Sequence, residues 1–367
     1  MKTNIDRKEL VRVLDAGGQM AGRNRTLPVL DSVKMSVRDG MLRVVSFNGE
    51  TGVSSVCPVL SSDGDMKFCV DGKTMLSAVK LMDSEVVSLL AGDDMKTLTV
   101  EHDTGSADYP LLPAADFPAF GKDDQIGEAE MDGDLLARWA VTAEKFVAHD
   151  ELRPTLGCMY LFSENGKTGF CASDSHRLAF EETDAPAGCP DFSALVHSTA
   201  LPLVQKACNG AETVSVRICS RSIVFSTERT SVFCRLKEGR FPNFRAILPQ
   251  ETGTGATLGV KPFRGAVDRV LCSAGGKSPC VSLDFSEGVL SVTASDMMTG
   301  RSARERVAYS GDAGMAVAVN GTFLAAVLAC MAEGSVDISL LGERKPVVMR
   351  PEDGRTTFLL MPVAMPS

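Results

Sequence analysis

The chain has 367 residues, of which 44% are hydrophobic and 23% charged, and its formal net charge is −9. This length predicts two or three domains, and the composition is that of a globular protein with apolar material for several cores. No apolar stretch approaches the ~20 residues of a membrane helix, and the charged start MKTNIDRKEL lacks a signal-peptide segment, so we expect a cytoplasmic protein without a membrane partner.

Six segments carry apolar residues at the helical spacing i, i+3, i+4, i+7. In chain order they are 6–22, 71–82, 132–147, 197–208, 260–277 and 320–332. In the last segment the predicted core face consists of Phe323, Ala326, Val327 and Cys330. Short segments with alternating apolar and polar residues, separated by turns such as RDG, ENG and SEG, predict strands between the helices. Helices packed on antiparallel sheets make an α+β fold.

These predicted elements recur at an interval of about 125 residues. Strands that end at Asn48, Asp174 and Asp296 occupy the same place in each repeat, and the helix starts DGKTML, HSTALP and NGTFLA follow in the same order. The motifs DFPAF and RFPNF close the first two repeats. We therefore predict three similar domains, with boundaries at 1–122, 123–250 and 251–367.

The charges are distributed unevenly between helices and the rest of the chain. The six helical segments hold 12 of the 38 basic and 8 of the 47 acidic residues, whereas the remainder holds 26 basic and 39 acidic. Mildly basic helices could face a phosphate backbone, although the total charge argues against a compact nucleic-acid-binding domain. The alternative is that these charges form the solvated faces of ordinary amphipathic helices.

The cysteines and histidines do not predict a metal site or a cofactor. None of the eleven cysteines forms a CxxC pair, and no two of the four histidines have ligand spacing. Because many of the cysteines lie in apolar, strand-like segments, we expect reduced and buried thiols.

The segment CASDSHRLAF raises the possibility of a hydrolase, with Ser175 as nucleophile and His176 as base. No glycine flanks its serines, and adjacent side chains of a strand point to opposite faces, so this hypothesis is disfavoured. A strand end stabilised by turn-forming residues explains Asp174, because Asn48 and Asp296 stand at the same place. It does not explain the HRL sequence that follows, which the other repeats lack.

Five motifs carry a family resemblance that spans the chain. They are RNRTLPVLDSV, YPLLPAADFP, ASDSHRLAF, EGRFPNFRAILP and FLLMPV. Together they resemble the motifs of the bacterial DNA polymerase III beta subunit, the replicative sliding clamp. The resemblance implies three repeated sliding-clamp domains, each with two helices packed on antiparallel sheets, so that one chain forms half of a ring.

The resemblance also implies a function without catalysis. Two chains would join head to tail into a homodimer that encircles double-stranded DNA without reading its sequence. The partners implied are the replicative DNA polymerase, a clamp loader and other proteins with a clamp-binding motif. The alternative is an interaction scaffold that keeps the fold and the peptide pocket but does not encircle DNA.

The family's binding residues are carried over to matching positions only. The peptide pocket then consists of Leu156, Ser173, Ser175, His176, Arg177, Leu178, Pro242, Ile247, Pro346, Leu359, Met361 and Val363. Arg23, Asn24 and Arg25 stand where the family has a DNA-contacting loop, and helix position adds Lys8, Arg12, Lys73, Lys80, Arg138, Lys145, Lys206, Arg264 and Arg269. At the dimer interface, Ala107 and Tyr109 would meet Leu271 and Cys272 of a second copy.

Three departures from the family pattern bear on these expectations. Ser175 replaces the usual glycine of the pocket, and the chain ends in MPVAMPS rather than in the family's common MP-x-R-L form. Ala107 stands where many members carry an interface aromatic, which could weaken the ring. Tyr109 lies two residues further on the same face of the predicted strand, and we expect it to compensate.

Overall fold

The apolar spacing of the sequence produces six helices. The computed structural model describes residues 1–22, 27–92, 94–121, 123–150, 152–249, 253–276, 278–296 and 298–364. The helices are α1 Arg7–Gly17, α2 Gly72–Leu81, α3 Gly133–Phe146, α4 Leu201–Cys208, α5 Val260–Leu271 and α6 Gly321–Leu328. All six predicted helices are confirmed, although α1, α5 and α6 end earlier than their apolar patterns.

Twenty-seven strands form four sheets in the described part of the chain. The first sheet, in spatial order, is β5 Ser61–Ser62, β1 Lys2–Asp6, β7 Val86–Ala91, β8 Thr97–His102 and β9 Gly105–Pro110. The second is β10 Leu112–Pro113, β6 Met66–Val70, β2 Val33–Arg38, β3 Met41–Phe47, β4 Thr51–Pro58, β18 Thr230–Arg235, β17 Ser222–Ser226, β16 Thr213–Cys219 and β11 Gln125–Asp132.

The other two sheets are built mainly from the later part of the chain. The third is β15 Phe192–His197, β12 Cys158–Glu164, β13 Lys167–Ser173, β14 Arg177–Asp184, β27 Thr356–Leu360, β26 Val347–Pro351, β25 Ser335–Leu340, β19 Thr254–Gly259 and β23 Ser310–Gly311. The fourth is β22 Arg301–Ala308, β21 Val289–Asp296, β20 Cys280–Ser286 and β24 Ala316–Asn320. The pairings are antiparallel, as in β14 with β27 and β4 with β18, which confirms the α+β fold class.

The chain divides into two compact units. The first comprises residues 1–140, 186–192 and 199–237, and the second comprises 141–185, 193–198 and 238–367. The central third of the sequence is thus shared between them. The sheets explain this division: β4 pairs with β18 inside the first unit, and β14 pairs with β27 inside the second. The three domain boundaries predicted above remain a prediction.

Helix α1 shows how the local sequence determines where a helix begins and which residue stands at its end. Asp6 accepts a hydrogen bond from the backbone N–H of Glu9, which satisfies one of the free donors at the start of the helix. The buried side of α1 packs on the core of the first unit. The helix ends at Gly17, where a Cβ atom would lie 2.6 Å from the carbonyl oxygen of Val44, so only glycine permits this close approach.

The core face of α6 differs from the predicted one. Leu324, Val327 and Leu328 are buried, whereas Phe323 is only half-buried. This helix is apolar on nearly every side, so its periodicity could not select a face. As a result, the ring of Phe323 is available to contact His176 and Arg177.

The cysteines lie mostly inside the protein, as expected. Seven are buried and one, Cys272, is exposed. Burial raises the pKa of Cys57 and Cys69 to about 11 and that of Cys208 to about 12, because the thiolate loses its hydration. Among the described residues, no group of three or more acidic, histidine or cysteine side chains is placed to hold a metal ion. None of the helices described is both long and apolar enough to cross a membrane.

Candidate functional site

The SDSHR segment forms the turn between β13 and β14. Oδ1 of Asp174 accepts hydrogen bonds from the backbone N–H groups of His176 (2.9 Å) and Arg177 (3.0 Å). The hydroxyl of Ser173 donates to the carbonyl of Arg177 at 2.8 Å and accepts from the N–H of Ser175. The turn-forming role predicted for Asp174 is confirmed. The segment is therefore a fixed turn that presents two side chains to solvent, Ser175 and His176.

Ser175 adopts a backbone conformation that favours glycine. Its φ angle is +78°, and its hydroxyl accepts a hydrogen bond from Nη1 of Arg153 at 2.8 Å. Arg153 also pairs with Asp150 at 3.3 Å, and Asp150 accepts from the N–H of Leu152. That N–H, together with the guanidinium, lowers the pKa of Asp150. The segment from Leu152 to Leu156 is thereby tied to the turn through Arg153.

Arg177 is held by the protein on two sides. Its Nε lies 2.9 Å from Oδ2 of Asp174, and the two side chains are only 12% and 14% exposed. The guanidinium carbon lies 4.5 Å from the ring centre of Phe323 and 5.3 Å from that of Phe146. The ring of His176 stacks on Phe323 with centroids 6.0 Å apart. Arg177 thus anchors the turn to α3 and α6, and His176 is the exposed group beside it.

Leucine side chains form an apolar floor next to this turn. Leu156, Leu178 and Leu359 are buried in one cluster with Phe241 and Phe244. Leu178 lies directly opposite Leu359 because β14 pairs with β27. The structure therefore brings together residues from four separate stretches of the chain, three of which carry a leucine of the predicted pocket.

The remaining predicted pocket residues are more accessible than the floor. Pro242, Ile247, Met361 and Val363 are exposed, and Pro346 is half-buried just before β26. The N–H of Met361 donates to the carbonyl of His176 at 2.8 Å, which holds the end of β27 beside the turn. An apolar floor with flexible apolar side chains and a histidine around it is suited to a short hydrophobic peptide.

The geometry does not favour the hydrolase hypothesis. The hydroxyl of Ser175 accepts a hydrogen bond from Arg153, whereas the ring of His176 stacks on Phe323. A nucleophilic serine needs a base within hydrogen-bond reach, and the described hydrogen bonds contain none between these two side chains.

Sequence reasoning missed Arg153, Phe146 and Phe323 as parts of this site. Arg153 is 22 positions from Ser175, and α6 reaches the turn only through tertiary packing. The one signal in the sequence that pointed to Arg153 was the replacement of the family's glycine by Ser175, because the added hydroxyl can form a hydrogen bond with a neighbouring side chain.

Basic side chains on the helices of the first unit are partly neutralised within the protein. Asp15 on α1 pairs with Lys206 of α4 at 2.7 Å and with Lys80 of α2 at 3.4 Å. The hydrogen bond from Lys206, followed by that from Lys80, lowers the pKa of Asp15. Arg12 pairs with Glu9 at 2.8 Å and also donates to the carbonyl of Val56.

The other DNA-facing candidates occupy varied settings. Lys8 and Lys73 are exposed, and Arg138 is half-buried. In the second unit, Arg264 donates to the carbonyls of Leu328 and Met331 at the end of α6, Arg269 pairs with Glu305, and Lys145 contacts the carbonyl of Ala329. Arg23, Asn24 and Arg25 lie outside the described residues.

The predicted interface residues lie on a sheet edge and at a helix end. Strand β9 is the edge of the first sheet, and Ala107 and Tyr109 share the face that packs on the core of the first unit. Tyr109 is only 7% exposed, so within the chain it contributes to this core. Leu271 is half-buried at the end of α5, and Cys272 is exposed.

Comparison with known proteins covers almost the whole chain. Three family models match in order: DNA polymerase III beta subunit, N-terminal domain (residues 1–121), central domain (130–243) and C-terminal domain (245–364). The beta sliding clamp of Caulobacter vibrioides is 25% identical over 378 residues, covering 99% of this chain and 100% of the relative. That of Salmonella typhimurium is 27% identical over 307 residues, covering 81% of each.

Solved structures with the same fold include two bacterial clamps. A crystal structure of the Caulobacter crescentus beta sliding clamp superposes with a TM-score of 0.92 at 23% identity, covering 100% of this chain and 99% of the other. The Pseudomonas aeruginosa clamp bound to griselimycin gives a TM-score of 0.94 at 20% identity, with full coverage of both chains. The ordered match of all three domain models shows that the chain belongs to the DNA polymerase III beta subunit family, the bacterial sliding clamps.

Proposed function

We propose that this chain is a processivity factor that encircles double-stranded DNA as a head-to-tail homodimer and tethers the replicative polymerase in the cytoplasm. The observation that carries the proposal is the match of three successive clamp domains along nearly the whole chain. A clamp loader and other proteins with a clamp-binding motif are the further partners. The chain itself is non-catalytic and acts by binding.

Encirclement explains how an acidic chain can work on DNA. A ring that surrounds the duplex is retained by topology, so it needs only weak contacts from the basic residues of its helices to the phosphates. These contacts carry no sequence information, which suits a protein that must pass over every sequence.

The test is retention on circular DNA. The protein is loaded onto a nicked circular duplex by a bacterial clamp loader, separated from unbound protein by gel filtration, and the circle is then cut. We expect the protein to remain on the circle and to be lost after linearisation. Retention on linear DNA with free ends would contradict encirclement and favour a clamp-fold scaffold.

Two sheet edges support assembly with a second copy. Strand β9 is an edge of the first sheet and carries the exposed Asp108. Strand β22 is an edge of the fourth sheet and carries the exposed Arg304 and Arg306. Free strand edges carry unpaired backbone groups that can pair with another strand, and opposite charges favour that pairing. We expect a dimer by sedimentation that dissociates on dilution more readily at high salt. A monomer at every concentration would contradict the ring.

The pocket of the second unit supports peptide binding. Its floor is apolar and buried, whereas Met361 and His176 are exposed beside it. An extended peptide with spaced hydrophobic residues can place them on the leucine floor and its polar groups near the histidine.

A double substitution tests the pocket. His176→Ala with Met361→Ala should abolish binding of a polymerase-derived peptide in fluorescence anisotropy while leaving the sedimentation behaviour unchanged. Met41→Ala is a matched control, because Met41 is 39% exposed and Met361 is 38% exposed. If the double variant bound the peptide with unchanged affinity, the assignment of these residues to the peptide pocket would be wrong.

A further inference from the structure

One aspartate joins three helices of the first unit through two lysines. Asp15 lies on α1, Lys80 on α2 and Lys206 on α4, with contacts of 3.4 Å and 2.7 Å to its two carboxylate oxygens. The three side chains are 39%, 50% and 51% exposed, respectively. All three groups can therefore exchange partners with solvent ions.

We propose that Asp15 is an internal competitor of DNA phosphate for Lys80 and Lys206, and that it keeps the contact between the helices and the duplex weak. The inference rests on the proposed function, in which these lysines meet DNA. It goes further, because it assigns a role to an acidic residue among the basic candidates.

The physical argument concerns what a lysine loses when it binds DNA. A carboxylate oxygen at 2.7 Å gives an ammonium group much the same hydrogen bond and charge as a phosphate oxygen. A lysine that moves from Asp15 to a phosphate therefore gains little net free energy. Because its stem is long and flexible, it can return to Asp15 as the phosphate passes. Many weak contacts of this kind would hold the ring near the duplex without stopping its movement.

Arg12 shows the contrast. It pairs with Glu9 and also donates to the carbonyl of Val56. These contacts fix its guanidinium to α1 and β4, so it is poorly placed to exchange with phosphate. The lysines around Asp15 have the exchangeable arrangement that Arg12 lacks.

Asp15→Asn tests the proposal because it keeps the side-chain shape and removes the charge. Binding to a short linear duplex, which can thread the ring from its end, is measured by anisotropy from 50 to 200 mM salt. Each released lysine that gains a phosphate should steepen the slope of log K against log [salt] by about 0.9. With two lysines we expect a steepening of about 1 to 2, and therefore tighter binding at 50 mM salt by several-fold.

Asp184→Asn is the matched control. Asp184 pairs with Lys167 at 2.7 Å on the third sheet, so its substitution makes the same change in net charge and breaks an equally short pair. We expect it to leave the slope unchanged. If both variants changed the slope equally, the effect would come from the change in net charge alone, and the proposal would be overturned.

A double-mutant cycle makes the test independent of the single variant. Lys206→Gln should lower the slope little in the wild-type background and by about 0.9 in the Asp15→Asn background, because only there is Lys206 uncompensated. Equal effects in both backgrounds would overturn the competition.

The proposed function can fail separately. If the wild-type protein does not stay on circular DNA, encirclement itself is wrong. If it does stay, and Asp15→Asn melts normally but binds DNA like the wild type, only the role of Asp15 is wrong. If Asp15→Asn does not fold, the variant Asp15→Ser is loaded onto circular DNA and its diffusion along the DNA is measured. Diffusion slower than that of the wild-type protein supports the proposal, and diffusion at the wild-type rate opposes it.

Discussion

Replacing Ser175 by glycine should separate the stability of the chain from its affinity for peptide. The φ angle of +78° costs a non-glycine residue about 1–2 kcal/mol, which the substitution recovers. Against this stand the exposed hydrogen bond from Arg153, worth about 0.5–1 kcal/mol, and the extra backbone entropy of unfolded glycine, about 0.5–1 kcal/mol. The gain and the losses nearly cancel, so we expect the free energy of unfolding to change by less than about 1 kcal/mol.

Peptide affinity should nevertheless fall in this variant. Without the Ser175 hydroxyl, Arg153 no longer ties the segment from Leu152 to Leu156 to the turn. The exposed residues 152–154, which precede the buried Leu156, must then be ordered when the peptide binds, which costs about 0.5–1.5 kcal/mol per immobilised side chain. We expect a three- to tenfold weaker peptide complex in anisotropy, with a midpoint of denaturation close to that of the wild type.

Two further variants complete this experiment. Arg153→Ala should weaken the peptide complex to the same degree, and the double variant should be no weaker than either single one, because both remove the same bond. Glu287→Gly, at a φ of +51° in the turn between β20 and β21, relieves similar strain without touching the pocket and should leave peptide affinity unchanged. Additive losses, or a loss of more than about 2 kcal/mol of stability in Ser175→Gly, would refute this reasoning.

Three other outcomes follow from the structure. Leu178→Ala should lower the free energy of unfolding by about 2–5 kcal/mol in chemical denaturation and abolish peptide binding, whereas the exposed Leu81→Ala should do neither. At pH 8, and at a dilution at which the chain is monomeric, a thiol reagent followed by mass spectrometry should modify the exposed Cys272 first, whereas burial protects Cys69, whose pKa is raised to about 11. Because Lys206 and Lys80 lower the pKa of Asp15 below 3.8, the stability it provides is present above that pH and is lost as the pH falls through the folded value. The difference in unfolding free energy between wild type and Asp15→Asn should therefore be larger at pH 6 than at pH 3.

The helices could be located from sequence, but their ends depended on residues with special backbone behaviour. The apolar pattern of the first helix continues to residue 22, yet the helix ends at Gly17, where Val44 approaches too closely for any side chain. The fifth ends at Leu271, before Gly275 and Gly276, although its pattern extends to 277. Periodicity identifies a face that can be buried, but it does not tell which turn of the helix is the last.

The pocket was predictable only where it repeats a family motif. The floor leucines and Met361 came from such motifs, and the structure brings them into one place. Arg153 and Phe323 have no motif, because their roles arise from contacts with the turn that depend on tertiary packing. The missed residues are therefore the ones that support the proposed pocket rather than those predicted to line it.

Burial separates the two kinds of ion pair that this chain uses. The pair of Arg177 and Asp174 is about one-tenth exposed, so breaking it would leave a poorly hydrated charge, and it can serve as a permanent anchor for the peptide site. The pairs of Asp15 with Lys80 and Lys206 are between about four- and five-tenths exposed, and water can replace either partner at small cost. A peptide site needs fixed geometry because the ligand must meet a preformed surface. A surface that slides on DNA needs contacts that break as easily as they form, and under the proposal the exposed pairs around Asp15 would provide them.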